Sequence, residues 1–374
     1  MVARKLRVGV LFGGRSGEHE VSLLSAASIL TALDRDKYEI VPIGITREGK
    51  WFLPEDAWAA LKEGLEAQKG VHVALLGQPA ELNLLEIHAA GDSSQVLSGE
   101  LRDRLDVVFP VLHGPYGEDG TIQGLLELAG IPYVGAGVLG SAVGMDKGLM
   151  KTLFRAVGLP VADFLVFLRR EVEQDAPAVV AAAESRFAYP MFVKPANLGS
   201  SVGVVKAHNR EELYRGLQEA IAYDRRILVE QGIENAREIE LSVLGNDDPR
   251  VSVPGEIIPA NEFYDYEAKY LEDSGLIIPA ELSPEIVEKL QAYAIQAFKA
   301  IDCAGMARVD FLVRREDNAI FVNEINTIPG FTQISMYPKL WEASGLSYPE
   351  LLDRLIELAL ERHQERQRSK TTYK

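Results

Sequence analysis

The segment Arg308-Val309-Asp310-Phe311-Leu312-Val313 runs through a short polar turn into Ile320-Phe321-Val322-Asn323-Glu324-Ile325-Asn326, the pattern of a β-hairpin with an acidic face. Side chains alternate across a strand, so Arg308 and Asp310 share one face of the first strand, and Val322, Glu324 and Asn326 one face of the second. A turn centred near Asp317 sets Asp310 opposite Glu324. Like charges directly opposed in a sheet destabilise it by a few tenths to about 1 kcal/mol unless something positive sits between them. Two carboxylates and the Asn326 amide make a hard oxygen cluster suited to Mg²⁺ or Mn²⁺, which keeps its remaining positions for water and phosphate oxygens. A solvated acidic face without an ion is the competing reading of the hairpin taken alone.

Other residues carry charge or hydrogen-bonding groups where a ligand could use them. Tyr189-Pro190-Met191-Phe192-Val193-Lys194-Pro195 is a strand ending in a lysine, and a Gly/Ser loop, 196–203, follows it. Backbone N–H groups of such a loop can close over phosphates while the lysine supplies positive charge, although an exposed turn has the same composition. The pattern Gly-x4-Gly-Lys-Ser/Thr is absent, which disfavours a P-loop nucleotidase. Lys147 follows Met145-Asp146 in the first turn of a helix, where it opposes the helix dipole; an anion ligand would explain it. Lys269 lies in a segment, 264–270, with three tyrosines in seven residues, either a loop that folds over a ligand or a partly buried surface loop. After the hairpin, Thr327-Ile328-Pro329-Gly330 breaks the strand, and Gln333 to Met336 starts a helix whose free N–H groups suit a carboxylate. Glu18-His19-Glu20-Val21-Ser22 would face a cleft, though an acid at a helix start also acts as a plain cap. His19 and His113 are candidate general bases or ordinary structural histidines.

These residues need a scaffold, and the pattern supplies one. Leu6 to Phe12 is a compact apolar strand, Gly13-Gly14-Arg15-Ser16-Gly17 a turn, and Val21 to Leu33 a helix; strand, glycine turn and helix form the first unit of an open α/β sheet. Strands at Tyr38–Ile45 and 106–112 and a helix from Thr121 to Gly130 continue it, so a mostly parallel sheet is expected, with ligands at the carboxyl ends of its strands. Residues 52–100 are weakly patterned and read partly as loop. Four glycines between Gly135 and Gly144 suggest a boundary. Beyond it come helices near 147–157, 176–185 and 211–222, strands near 160–167, 190–194 and 227–230, antiparallel-looking strands, a helix from Pro284 to Ile301, the acidic hairpin and a closing helix.

A chain of 374 residues exceeds one ordinary core, so two or three domains with a cleft between them are expected. With 39 Lys and Arg against 55 Asp and Glu, the net charge of -16 repels nucleic acid and anionic membranes and favours small-molecule ligands. The single cysteine, Cys303, excludes an internal disulfide framework and a cysteine-based zinc site. Arg4 and Lys5 lead straight into a short strand and no run of about 18 apolar residues occurs, so a cytoplasmic protein without a membrane segment is expected.

Six segments, taken in order, resemble the ATP-grasp superfamily and, within it, the D-alanine:D-alanine ligases, over nearly the whole chain. They are Phe12-Gly13-Gly14-Arg15-Ser16-Gly17-Glu18-His19-Glu20-Val21-Ser22; Leu112-His113-Gly114-Pro115-Tyr116-Gly117-Glu118-Asp119-Gly120; Met145-Asp146-Lys147; Lys194-Pro195 with Gly199-Ser200-Ser201-Val202-Gly203; Tyr264-Asp265-Tyr266-Glu267-Ala268-Lys269-Tyr270; and Asn323-Glu324-Ile325-Asn326-Thr327. Each is weak alone; together and in order they are specific.

The resemblance implies an α/β, three-domain ATP-grasp protein: a Rossmann-like substrate domain (1–137), a central lid domain (138–230) and a C-terminal domain with metal and substrate sites (231–374). It further implies ATP held by Lys147, Lys194, Ser201 and Lys269, with Glu230 at the adenine edge and Glu238 at the ribose. Asp310, Glu324 and Asn326 match a two-Mg²⁺ site, with Mn²⁺ a possible substitute. Glu20 matches the residue holding the ammonium of the first D-alanine, with Ser200 and Tyr270 in the group that fixes that substrate and the loop. Arg308 and the Gly330 backbone match the oxyanion contacts, Ser335 and Met336 the pocket of the second carboxylate, and His113 remains either structural or substrate-contacting. The implied reaction is ATP-dependent joining of two D-alanines through an acyl phosphate for peptidoglycan precursors, in a cytoplasmic homodimer. Three rivals stay open: a D-alanine:D-lactate ligase, which the Glu267-Ala268-Lys269-Tyr270 loop argues against; a nicotinamide oxidoreductase, which the Gly13, Gly14, Gly17 spacing disfavours; and a non-catalytic ATP-binding scaffold.

Overall fold

The structure, a computed structural model, describes residues 4–65, 69–79, 83–89, 97–200, 202–258, 275–370 and 372. Three sheets organise the chain. The first contains β1 (Leu6–Gly13), β2 (Tyr38–Ile45), β3 (Trp51–Pro54), β4 (Gly70–Leu75), β5 (Leu84–Ala89), β6 (Leu97–Asp103) and β7 (Val107–Val111), in the order β6-β5-β4-β3-β2-β1-β7. Only β1 with β2 and β1 with β7 pair in parallel; every other neighbouring pair is antiparallel. The expected mostly parallel sheet is therefore corrected: the weakly patterned 52–100 region adds antiparallel strands to one edge, too short to declare themselves in the sequence. β1 is flanked by β2 on one side and β7 on the other, a topological switch point, and the crevice at the carboxyl ends of β1 and β7 is where such sheets bind ligands.

Helix α1 (His19–Ala32) lies on this sheet, followed by α2 (Ala57–Glu63) and α3 (Thr121–Ala129), the last closed by Gly130 in the left-handed region. The closing helix Tyr348–Gln367 returns from the far end of the chain to the same core, where Leu351, Leu355 and Leu358 meet Val8, Phe12 and Phe109.

The glycine-rich segment expected to mark a boundary forms helix α4 (Val138–Met145), joined through Asp146 to α5 (Lys147–Ala156). Gly140 and Gly144, one turn apart on the same face, let this helix lie directly on the chain at Ile301–Cys303 and on Thr327: a Cβ at Gly140 would stand 2.8 Å from the Asp302 carbonyl oxygen. Gly140→Ala is therefore expected to destabilise the fold by about 1–3 kcal/mol, measured by denaturant unfolding; an unchanged midpoint would mean that α4 can move away.

The second sheet contains β8 (Phe164–Leu168), β9 (Met191–Pro195), β10 (Val205–Ala207) and β11 (Arg226–Gln231), all antiparallel, in the order β10-β9-β11-β8. Helices α6 (Arg169–Arg186) and α7 (Arg210–Tyr223) cover one face, packing Val179, Ala183, Leu213 and Leu217 on Val193, Ile227 and Val229. The alternation along β9 leaves Phe192 and Lys194 on the open face.

The third sheet comprises β12 (Ala236–Gly245), β13 (Arg250–Val251), β14 (Gly255–Ile258), β15 (Gly275–Ile277), β16 (Gly305–Arg314) and β17 (Ile320–Asn326), with the order β15-β14-β12-β16-β17 and β13 on β12. Helix Pro284–Ala300 packs Leu290 and Phe298 against Ile239, Leu241, Val309 and Phe311 on its apolar face. Among the described residues no helix is long and apolar enough to cross a membrane.

Candidate active site

The acidic hairpin forms with the expected register: Asp310 pairs with Glu324 and Arg308 with Asn326. One detail differs. The register shifts after Asp310, so that Phe311 pairs with Val322 and Asn323 is the extra residue of a β-bulge. The bulge reverses the alternation, burying Val322 in the core while Glu324 and Asn326 stay on the cleft face. Val322, expected beside Glu324, lies on the opposite face for this reason.

Two adjoining cavities, about 310 and 330 Å³, meet at this hairpin and share Lys147, Leu198, Gly199, Ser200, Glu240 and Glu324 in their walls. The first collects Glu18, His113, Glu118, Arg308, Asn326, Gly330, Ser335 and Met336. The second collects Lys194, Glu230, Glu238 and Asp310, with the chain just after β11 along one wall. Residues of the second and third sheets thus converge with the start of α1 and the loop that follows β7 of the first. Ser201, Lys269 and Tyr270 lie outside the described residues.

Charge is balanced closely here. The Arg308 guanidinium donates from Nε and Nη2 to the two Asp310 carboxylate oxygens, each at 2.7 Å, and its Nε stands 3.1 Å from Glu240. Burial works against the Arg308 cation, yet Asp310 and Glu240 hold its pKa well above the ordinary value. Lys147 Nζ donates to the Leu198 carbonyl at 2.6 Å and lies 3.9 Å from Glu324. Asp146, whose side chain caps α5 by accepting from the Leu149 N–H, offsets the unfavourable lysine at the helix start. Part of the repulsion between Asp310 and Glu324 is thus relieved by the protein's own cations.

Glu20 does not reach the cleft. It is exposed and paired with Arg47 at 2.5 Å, whereas Glu18 lines the first cavity and accepts a hydrogen bond from the Ser200 hydroxyl. The helix begins at His19, so Glu18 is its N-cap and Glu20 points about 200° away around the axis. Gly199 packs against Glu18: a Cβ there would stand 2.6 Å from the carboxylate and push that side chain aside.

His19 is buried with Nδ1 against the Gly14 carbonyl, a structural arrangement. His113 is also buried, with Nδ1 3.0 Å from the Ile328 carbonyl oxygen and 3.6 Å from Glu118. Burial opposes its protonation, but Glu118 and Glu18 outweigh this and raise its pKa. Burial raises the Glu118 pKa.

Sequence reasoning set Glu18 in a cleft-facing segment but gave the substrate contact to Glu20, and it assigned no role to Glu118, Glu240 or Lys151. Glu240 follows Glu238 by two positions on β12, so it shares that residue's face, and this parity was the available signal. Lys151 follows Lys147 by one helical turn, the corresponding signal on α5.

A divalent cation fits this donor set. Among the described residues no group of three or more His, Cys, Asp or Glu side chains could by itself hold a metal ion; Asp310 lines the second cavity, Asn326 the first and Glu324 both, so two carboxylates and one amide border the junction, where phosphate oxygens and water would have to complete the shell of Mg²⁺.

Three sheets closing on a lysine-lined, carboxylate-bearing cleft define an ATP-grasp ligase. The chain belongs to the D-alanine–D-alanine ligase family: residues 7–136 match the model described as "D-ala D-ala ligase N-terminus" and residues 153–357 that described as "D-ala D-ala ligase C-terminus". It is 52% identical over 371 residues to a D-alanine--D-alanine ligase of Natranaerobius thermophilus, covering 99% of each chain, and 54% identical to that of Chloroherpeton thalassium, covering 97% of this chain and 98% of the other. Among solved structures it resembles the D-alanine-D-alanine ligase of Coxiella burnetii (TM-score 0.79, 40% identity, 98% of this chain and 97% of that one). It also resembles a D-Ala:D-Ser ligase of Enterococcus faecalis (TM-score 0.84, 36% identity, 95% and 100%).

Proposed function

We propose that this ligase joins two D-alanine molecules in the first cavity at the expense of ATP held in the second, through a D-alanyl phosphate, and so supplies a cell-wall precursor. The observation that carries the division of labour is the shared wall: Lys147, Ser200 and Glu324 border both cavities, so a γ-phosphate at the junction meets a carboxylate from the other side. The sheets suggest three domains, 1–137, 138–230 and 231–374.

A carboxylate is a poor electrophile. The first D-alanine, its ammonium held by Glu18, attacks the γ-phosphorus with a carboxylate oxygen; the bond to the β-γ bridging oxygen breaks, giving acyl phosphate and ADP. Lys147 and Lys194 carry phosphate charge, so catalysis is mostly positioning and electrostatics. Asp310, Glu324 and Asn326 would hold Mg²⁺, which would supply neutralisation of phosphate charge. The second D-alanine, its carboxylate at Ser335 and Met336, attacks the acyl carbon with its amine after losing a proton. Arg308 and the Gly330 N–H then stabilise the tetrahedral oxyanion before phosphate leaves. Glu238 serves the ribose. Because acyl phosphates hydrolyse, exclusion of water falls to the loop 196–203 and to the segment bearing Lys269 and Tyr270. The protein is proposed to act in the cytoplasm, as a homodimer.

D-alanine-dependent ADP release with mass analysis of the product tests this reading. D-alanyl-D-alanine and stoichiometric ADP are expected; a D-alanyl-D-serine product from mixed amino acids, or ATP turnover without dipeptide, would redirect it.

A further inference from the structure

We propose that Lys151 is a positioning residue for the nucleotide, neutralising Glu230 so that Lys194 keeps a surplus positive charge for phosphate. The inference rests on the second cavity being the ATP site. Lys151 lines neither cavity, and its side chain is only 1% exposed. It stands one turn beyond Lys147 on α5, and its Nζ lies 3.1 Å from one Glu230 carboxylate oxygen. The other oxygen of Glu230 accepts from Lys194, which does line the second cavity.

The charges decide the role. Glu230 and Lys194 alone form a neutral pair, and a phosphate approaching Lys194 would have to compete with a buried carboxylate already attached to it. With Lys151 behind it, the three-group cluster carries one net positive charge, and the only member that can move toward the cavity with that charge is Lys194. Burial alone would raise the Glu230 carboxyl pKa, but Lys151 and Lys194 pull it down to about 2, so the carboxylate stays ionised. Burying an ammonium is costly: burial lowers the Lys151 pKa, and Glu230, 3.1 Å away, opposes that shift. Met150 and Phe154 on the same helix are fully buried and apolar, so packing at this position does not of itself require a lysine.

The test compares ADP binding, by titration calorimetry with Mg²⁺ present, among the wild type, Lys151→Met and the charge-keeping Lys151→Arg. Their three-group charges are one, zero and one. Lys151→Met is expected to weaken ADP about 10-fold or more, with KM for D-alanine changed less than about twofold. Lys151→Arg is expected to stay within about threefold of wild type. A folded Lys151→Met protein that melts at lower temperature but binds ADP as the wild type does would assign Lys151 a purely structural role and overturn the proposal. Should Lys151→Met not fold, Lys151→Arg decides: ADP affinity more than about 10-fold below wild type overturns the proposal as well. Wild-type protein that binds no ADP would instead remove the ATP reading beneath it, an outcome distinct from the other two.

Discussion

Glu324→Gln is expected to lower kcat by about a thousandfold or more at saturating Mg²⁺ while leaving the unfolding free energy within about 1 kcal/mol of wild type. The two expectations come from one geometry. Glu324 sits at the junction of the cavities, opposite Asp310, with Lys147 at 3.9 Å. Replacing its charge with an amide removes repulsion from Asp310 and attraction to Lys147 together, and these offset in the folded protein. A bound cation and the triphosphate it accompanies have no such compensation, because the amide oxygen is a weaker ligand and the site loses one of two anionic donors. Unfolding curves, steady-state rates and Mn²⁺ titration monitored by electron paramagnetic resonance separate the effects. A variant turning over within about tenfold of wild type would remove Glu324 from the metal site, and one that merely unfolds would make it structural.

The hairpin was legible in the sequence because two local signals agreed: alternating apolar residues and a polar turn around Asp317, which the Arg314–Asp317 pair closes. Its bulge was not, since nothing about Asn323 distinguishes an extra residue from a paired one until β16 is beside it. The strands between 51 and 103 were missed for a related reason: β3 has four residues and gains its place only by pairing with β2 and β4. Helix α4 shows the opposite failure, because glycine's low helix propensity argues for a break, while close approach to the backbone of Asp302 and Cys303 demands glycine within a helix. Motif order picked out Lys147, Lys194, Arg308 and Glu324, which the structure puts in the cavity walls, because each is tied to an element that the pattern defines. Lys151 and Glu240 escaped notice because both lie inside stretches that read as helix and strand core, and their roles arise only where α5 faces β11 and β12 faces β16.

Glu18→Gln is expected to reduce kcat/KM for D-alanine by about 30- to 1000-fold, and Glu20→Gln to change it by less than about twofold. The contrast follows from two positions at a helix start. Glu18, as N-cap, is directed into the first cavity, accepts from the Ser200 hydroxyl and packs against Gly199, so its charge is fixed where an ammonium would bind and is only partly open to water. Glutamine there keeps the shape and one acceptor oxygen but loses the ion pair with the substrate and weakens the link to the loop that separates the cavities. Glu20 pairs with Arg47 in solvent, a contact that high salt screens and that contributes little. Saturation curves for D-alanine at fixed ATP, measured for both variants, read the difference directly, and circular dichroism establishes that both are folded. Equal losses would indicate that the helix start, not the carboxylate, matters. A larger loss in Glu20→Gln would require α1 to begin one or two residues later and turn its second acid toward the substrate.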